Sequence, residues 1–478
     1  MRYNKNQKVL FHHVYRKQPL TKALKMRKKI KQQLDIEYIE RDRSIAKVIT
    51  MIDQILNENP IINKFIFEDI KGKKRADIGA QGMTAEQVLR SALVKQIFQL
   101  SYRDLQFTLS DSLQLRSFCR IGDFEKAPKV STLNENIKKL RSESMELVNR
   151  ILVEYAIQKK IENGRMIRMD STATETNIHY PMDNNLLWDC VRVITRLLRL
   201  VEENFPDHPW EFCDHTRRAK KRHFQIVNAK REEKRMRAYR DLISVSETTL
   251  GYARAAREGL SQLKAKQIFD EFLREALLKE LSHYIALMEQ VIDQGKRRLI
   301  NGENVPSSQK VVSIFEPHTD IIKKDNRDTV FGHKVFLTGG KSKMIIDCVI
   351  TRGNPSDTEM FSQLLDRSCE RLGRTPKQTS TDGGFASNEN ARYAQDKGVK
   401  DVFFSKRRGN CLTELITSDY IMKKLRRFRA GIEGCISAAK RSLGLDRCNW
   451  SSFESFCSYV WLSIIGFNLK ILANHLNC

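Results

Sequence analysis

A strand-like run at residues 165–175, RMIRMDSTATE, constrains the fold most, because the next strand signals lie far downstream. Residues 165–169 alternate long apolar and basic side chains, and Asp170 enters where small hydroxyl residues take over (Ser171, Thr172, Thr174, Thr176). The pattern predicts a strand ending there with Asp170 at its mouth, which is how a sheet presents a metal ligand. For a single example, an Asp that merely starts a turn is the commoner arrangement. After Pro181 the apolar spacing turns helical: residues 186–205 are amphipathic, and 223–250 and 268–299 read as long antiparallel helices. Strand patterns resume with HKVFLTGG and KSKMIIDCVITRG, joined by Gly339-Gly340-Lys341-Ser342, a hairpin signature. A strand's backbone groups find partners in other strands, so residues 183–310 read as an all-helical insertion after the first strand.

Downstream of the hairpin, DTEMFSQLLDRSCERLG predicts a helix closed by Gly373, and KQTSTDGGFAS a short strand delivering Asp382 into a glycine turn. SNENARYAQDKG reads as a helix, VKDVFFSK as a strand, and the chain is helical again from Met422. The expected core is strand, insertion, hairpin, helix, strand, helix, strand, helix, occupying residues 163–182 and 311–478. Upstream, residues 1–80 form a basic helical region whose stretch from Arg16 to Lys31 carries eight cations and no acid. Such a run is a solvated helix face or a phosphate contact. Residues 81–162 are expected to be a helical, DNA-binding region. From Met83 two helices follow closely, with a capping signal at Ser101, a spacing that a helix-turn-helix and a plain bundle share. Residues 130–160 read as a capped helix pair leading into the Asp170 strand.

Lys and Arg outnumber Asp and Glu by 84 to 58, a net charge of +26, which points to a polyanionic partner, with nucleic acid the first candidate. The densest patch, Arg217 to Arg240, holds eleven cations against two Glu and suits either a DNA backbone or the charged face of a helical hairpin. His208, Cys213, His215 and His223 lie near it, with spacing that fits no standard zinc pattern. Ten cysteines without a C-x-x-C pair suit reduced thiols in a cytosol. No apolar leader segment marks the start. The apolar run at residues 455–469 falls short of the ~18 residues of a membrane span and reads as a buried helix. The expected location is a prokaryotic cytoplasm, at the nucleoid, with no membrane partner.

Four blocks, DSTATETNIHYPMDNNLLWDCVRV, GHKVFLTGG, TDGGFAS and RRFRAGIEGCISAAKRSLGLDR, resemble those of bacterial insertion-sequence DDE transposases, especially the ISNCY-type group. The resemblance runs from about Met83 to the C-terminus. It implies an α/β, ribonuclease-H-like catalytic core with Asp170, Asp382 and Glu433 as the acid triad, both catalytic and metal-binding. It implies Mg²⁺ as cofactor, with Mn²⁺ able to substitute, as a pair of ions that clamp the attacking and leaving oxygens. It further implies double-stranded DNA as partner, in terminal inverted repeats and in target, and a homodimer on synapsed ends. Related enzymes carry Y-x2-R-x3-E-x6-K on the last of these helices; Arg429, Glu433 and Lys440 fit, while Arg426 stands at the tyrosine position.

The same helix can be read from spacing. Arg426, Arg429, Glu433, Lys440 and Gly444 recur on one face, where a Glu among cations is ordinarily a surface ion pair. The small residues Gly431, Gly434, Ala438 and Ala439 would let a large ligand approach. His179, Lys334, Arg426, Arg429, Lys440 and Arg441 are the candidate DNA contacts. Asp183, Asp189, Asp347 and Asp357 are rival carboxylates: the first two begin or decorate the insertion helix, Asp347 faces one side of an apolar strand, and Asp357 reads as a helix N-cap. Asp183 is the first substitute should the triad fail. The expected activity is cleavage of the element's ends and transfer of the freed 3′-hydroxyls to target DNA. A stand-alone nuclease of the same fold and a catalytically idle DNA-binding derivative are the alternatives.

Overall fold

Residues Met166–Glu175 form β1, the strand on which the sheet is centred in the computed structural model. The structure describes residues 44–72, 82–206, 210–263, 268–323, 328–405 and 415–477; the basic run at 16–31 and His208 lie outside them. The strand does not stop at Asp170 but continues to Glu175, so Asp170 sits mid-strand. Thr172 and Thr174 extend it because β-branched side chains suit a pleated strand. Thr174 is fully buried and its Oγ1 donates to the Leu445 carbonyl at 2.8 Å.

On one side of β1 lies Val330–Gly339 (β3), antiparallel, with Asp170 opposite Leu337. Both Ile345–Ile350 (β4) and the short Asp320–Ile322 (β2) pair with the far edge of β3. On the other side, Gln378–Thr381 (β5) runs parallel to β1, and Asp401–Phe404 (β6) runs parallel to β5. The hairpin, the two parallel strands and their order along the chain follow the expected core. The three-residue β2 is additional; a segment so short has no period to read.

Seven helices precede the sheet among the described residues: Ser44–Glu58 (α1), Ile62–Lys71 (α2), Ala85–Ile97 (α3), Tyr102–Asp111 (α4), Leu113–Phe118 (α5), Val130–Ile137 (α6) and Ser142–Gln158 (α7). Ser101 caps α4 as its sequence suggests, through a reciprocal box with Asp104. The pair α6 and α7 lacks the expected side-chain caps. Instead, α7 is started from outside. The buried Asp69 of α2 accepts from the backbone N of Arg141, the N-cap residue, at 2.9 Å and from Ser144 Oγ at 2.8 Å, taking the part that the N3 side chain plays in a capping box.

Between β1 and β2 come the helices Asp183–Asn204 (α8), Thr216–Asn228 (α9), Glu232–Gln262 (α10) and Ile268–Gly295 (α11), in the segment expected to be an insertion. It has its own core of Leu187, Ile194, Leu198, Leu242, Ile243, Leu281 and Met288. After the hairpin come Asp357–Leu372 (α12), Asn388–Asp396 (α13), Asp419–Leu443 (α14) and Phe453–Leu476 (α15). By length and composition α15 could cross a membrane, yet nearly all of its most apolar stretch is buried, against α7, α1 and α3. Its Asn468 is 0 % exposed and fully bonded: Oδ1 accepts from Ile345 N, and Nδ2 donates to Ile345 O and to Asn149 on α7. One core thus joins the N-terminal helices, the sheet and α15.

Candidate active site

The parallel register of β1 and β5 pairs Met169 with Thr381, so the next residue of each, Asp170 and Asp382, stand side by side where β5 ends. In-register neighbours on parallel strands point to the same face. Asp382 leaves the strand as the N-cap of a short turn, Gly383–Phe385, its Oδ1 accepting from Gly384 N at 2.9 Å. Gly384 has no space for a side chain: a Cβ there would stand 2.7 Å from Asp357 Oδ2 and 3.1 Å from Asp382 Oδ1. The two carboxylates therefore close in on the same backbone.

Glu433 arrives on α14, which packs across β1 and β5. Two contacts fix that helix. Ser380 Oγ donates to Leu425 O at 3.0 Å. Arg168, only 4 % exposed, donates from Nη1 to Phe428 O at 2.9 Å and from Nη2 to Cys435 Sγ at 3.4 Å, with its guanidinium over the Phe428 ring. A Cβ on Gly431 would lie 2.0 Å from that Nη1, so this glycine is small for Arg168 rather than for an incoming ligand. Ala439 is likewise buried in the core, whereas Gly434 faces open space.

Arg429 sits among the three acids. Its Nη2 is 3.7 Å from Asp170 Oδ2 and 3.9 Å from Asp382 Oδ2, and its Nη1 is 2.7 Å from Glu433 Oε1. The site is graded in exposure, with the side chain of Asp170 12 % exposed and that of Glu433 58 %. Burial pushes the Asp382 carboxyl above its ordinary range; the nearby Asp357 pushes the same way, and Arg429 and the turn's backbone N–H groups oppose them. Asp170, Asp382, Arg429 and Glu433 line an open cleft of about 1140 Å³, together with Lys323, Lys334, Asp357, Lys440 and Arg441.

Of the expected DNA contacts, Lys334, Arg429, Lys440 and Arg441 reach the cleft. Lys334 pairs with Asp357 at 2.7 Å, and Lys440 donates to Ala173 O at 2.8 Å. Arg426 is exposed on α14 and is not among the residues lining the cleft, and Gly444 is the left-handed cap of α14 rather than a member of its face. His179 is also absent from the lining; it lies 3.3 Å from Asp189 of α8. The substitute acid Asp183 is held by Arg298 and Gln294 within the insertion, and Asp347 is buried against Arg367 and Arg371.

Asp357 is not the N-cap. Ser356 caps α12 in a box with Glu359, which moves Asp357 one place into the helix and turns it toward Asp382. The S-x-x-E spacing of that box was visible in the sequence. Among the described residues near the basic patch, Cys213 is exposed, His215 stacks on Tyr252, and His223 bonds Asn184 and stacks on Trp188, with no set of three metal-binding side chains.

A divalent cation would find hard oxygen donors here, the kind Mg²⁺ accepts. The carboxylates already surround one positive charge, and Asp382, buried beside another acid, is short of one. No group of three His, Cys, Asp or Glu side chains among the described residues is arranged to hold a metal ion as it stands, and here the Arg429 guanidinium lies within 4 Å of each of the three acids. The donor chemistry of the three acids fits a hard divalent ion.

A family model described as a transposase DDE domain matches residues 312–469, and another described as a transposase domain (DUF772) matches residues 37–139. No curated protein and no solved structure matches the chain. The DDE match covers Asp382 and Glu433 and starts beyond the insertion, so Asp170 is tied to it by the register of β1 with β5. With the two matches spanning more than half its length and a ribonuclease-H-like sheet bearing clustered carboxylates, the chain belongs to the DDE transposases of insertion sequences, metal-dependent DNA endonucleases and strand transferases.

Proposed function

We propose that this transposase, of the ISNCY-type group, binds the terminal inverted repeats of its element, cuts their ends and joins the freed 3′-hydroxyls to target DNA. The observation that carries the reading is the meeting of Asp170, Asp382 and Glu433 around Arg429, in an open cleft edged by lysines and arginines. Asp170, Asp382 and Glu433 are the residues that would hold Mg²⁺ or Mn²⁺, as one ion or two. Bound there, such a cation polarises the scissile phosphate and makes an attacking water or 3′-hydroxyl easier to deprotonate.

The chain's own side chains do the rest. Lys334 and Lys440, at the cleft wall, hold phosphate oxygens and orient the strand for in-line attack. Arg429 neutralises the acids until DNA arrives, then turns its guanidinium to a phosphate, for which its planar fork is suited. The described part of residues 81–162 and the basic face of α9 supply further contacts to the DNA backbone, and two copies act together on paired ends.

The test uses paired element-end DNA and a target plasmid with Mg²⁺. Joined products lost in Asp382→Ala support the proposal. Nicks without joined products identify a stand-alone nuclease, and processing unchanged by Asp382→Ala rejects the acid site altogether.

A further inference from the structure

Beside the catalytic cleft, and sharing Lys440 and Asp446 with it, lies a second cavity of about 320 Å³. Its walls come from α3 (Lys95, Gln96) and the turn after it (Gln99), from the end of α14, and from the turn that follows (Asp446, Arg447). The seam is built, not accidental. Gln96 Nε2 donates to Leu443 O at 2.5 Å and to Ser463 Oγ at 2.8 Å, and Gln99 Nε2 donates to Arg441 O at 2.8 Å. The N-terminal helices and the catalytic core are thereby locked together along this cavity.

Lys95 is the unusual member. It is 4 % exposed, and no carboxylate pairs with it among the described residues; its ammonium lies 4.9 Å from the centre of the Tyr102 ring. Burial lowers its proton affinity, as expected of an ammonium removed from water without a counter-ion. A ring face is a weaker partner than an anion, and buried charges are ordinarily paired. The other cations have partners: Lys440 meets Asp446 at 3.4 Å, and Arg447 donates to Ile178 O at 2.9 Å and to Asn177 at 3.2 Å. Arg447 Nη1 also stands 3.9 Å from Glu175 Oε2, so three cations meet two acids and the charge of Lys95 is the one left over.

We propose that this cavity is a phosphate site for the DNA strand running out of the catalytic cleft past Lys440, and that Lys95 supplies its deepest contact. The site couples the N-terminal helices to the reacting strand, because Lys95 of α3 and the turn at Gln99 and Leu100 form its wall on that side. This assignment rests on the DNA reading above and extends it to a contact distant from the acids.

The experiment measures affinity of the full chain for a short random-sequence duplex across a salt series, with thermal midpoints in inorganic phosphate alongside. Lys95→Met keeps the apolar stem and removes the charge, so it should fold with an unchanged or higher midpoint. It should also bind duplex more weakly, with the slope of log affinity against log salt reduced by about one, while Lys95→Arg keeps the wild-type slope. Equal slopes for Lys95→Met and wild type overturn the proposal. If inorganic phosphate stabilises wild type but not Lys95→Met while the duplex slopes agree, the cavity takes a small free anion and the strand contact is wrong. Failure of the wild type to bind duplex at all defeats the DNA reading and this contact together. Failure of Lys95→Met alone to differ defeats only the contact.

Discussion

Two glycines three residues apart on α14 should respond to alanine with opposite signs, and the difference tests what holds Glu433 in place. In an open helix interior, Gly→Ala stabilises by about 0.5–1 kcal/mol through the unfolded chain. A Cβ added at Gly434 would have nothing within 4 Å of it, so Gly434→Ala should show that gain. At Gly431 the same Cβ meets Arg168 Nη1 at 2.0 Å and Cζ at 3.0 Å. A guanidinium at the end of a free side chain would step away cheaply. This one is buried, bonded to Phe428 O and Cys435 Sγ, and its Nε already lacks a partner. Overpacking costs about 1–3 kcal/mol, and a buried donor left unbonded about 1–3 kcal/mol more. After subtracting the helix gain, Gly431→Ala should destabilise by roughly 1–5 kcal/mol. Urea unfolding of Gly431→Ala, Arg168→Met and the double variant gives the coupling directly. The double variant should recover much of the loss, since Met withdraws the colliding atoms. If Gly431→Ala stabilises as Gly434→Ala does, Arg168 does not set the position of α14 and the account of how Glu433 is placed fails.

Asp170→Asn and Glu433→Gln should each reduce strand transfer by about 10²–10³-fold or more with folding intact, read by product gels and circular dichroism; near-normal turnover would remove that acid from the site. Arg429→Gln, without divalent ions, should lose about 1–3 kcal/mol because the cation standing between the acids Asp170 and Asp382 is removed, the exposed Glu433 pair adding little. Millimolar Mg²⁺ should close that gap in thermal melts, and a gap unaffected by Mg²⁺ would mean that the guanidinium and the ion do not compete. The Asp382 carboxyl is raised in the folded protein, chiefly by burial, so its ionisation costs stability, and stability falls as pH rises through the folded value. Asp382→Asn should therefore melt higher than wild type in chelator at neutral pH and match it at acid pH; an equal or lower neutral-pH midpoint refutes that sign.

Much of this architecture was written in local spacing. The Ser101 cap, the glycine hairpin between β3 and β4 and the apolar run of α15 each depend on residues within a turn or two of one another and formed as read, while the single helix expected over 223–250 is broken at 229–231 into α9 and α10. The acids were nameable from blocks that resemble a family. Their arrangement was not legible, because it depends on the register of strands and on which helix lands on which face. The Thr-rich end of β1 looked like a stop and became sheet once β3 and the turn after α14 offered partners. Gly431 looked like room for DNA and proved to be room for Arg168. Asp357 looked like a cap and faces Asp382, while His179 turned to Asp189 instead of the cleft. Periodicity and capping act over a few residues and survive in the one-dimensional string. Contacts such as Arg429 with three carboxylates exist only after distant segments have packed, since nothing short-range distinguishes an arginine that will meet acids from one that will meet water.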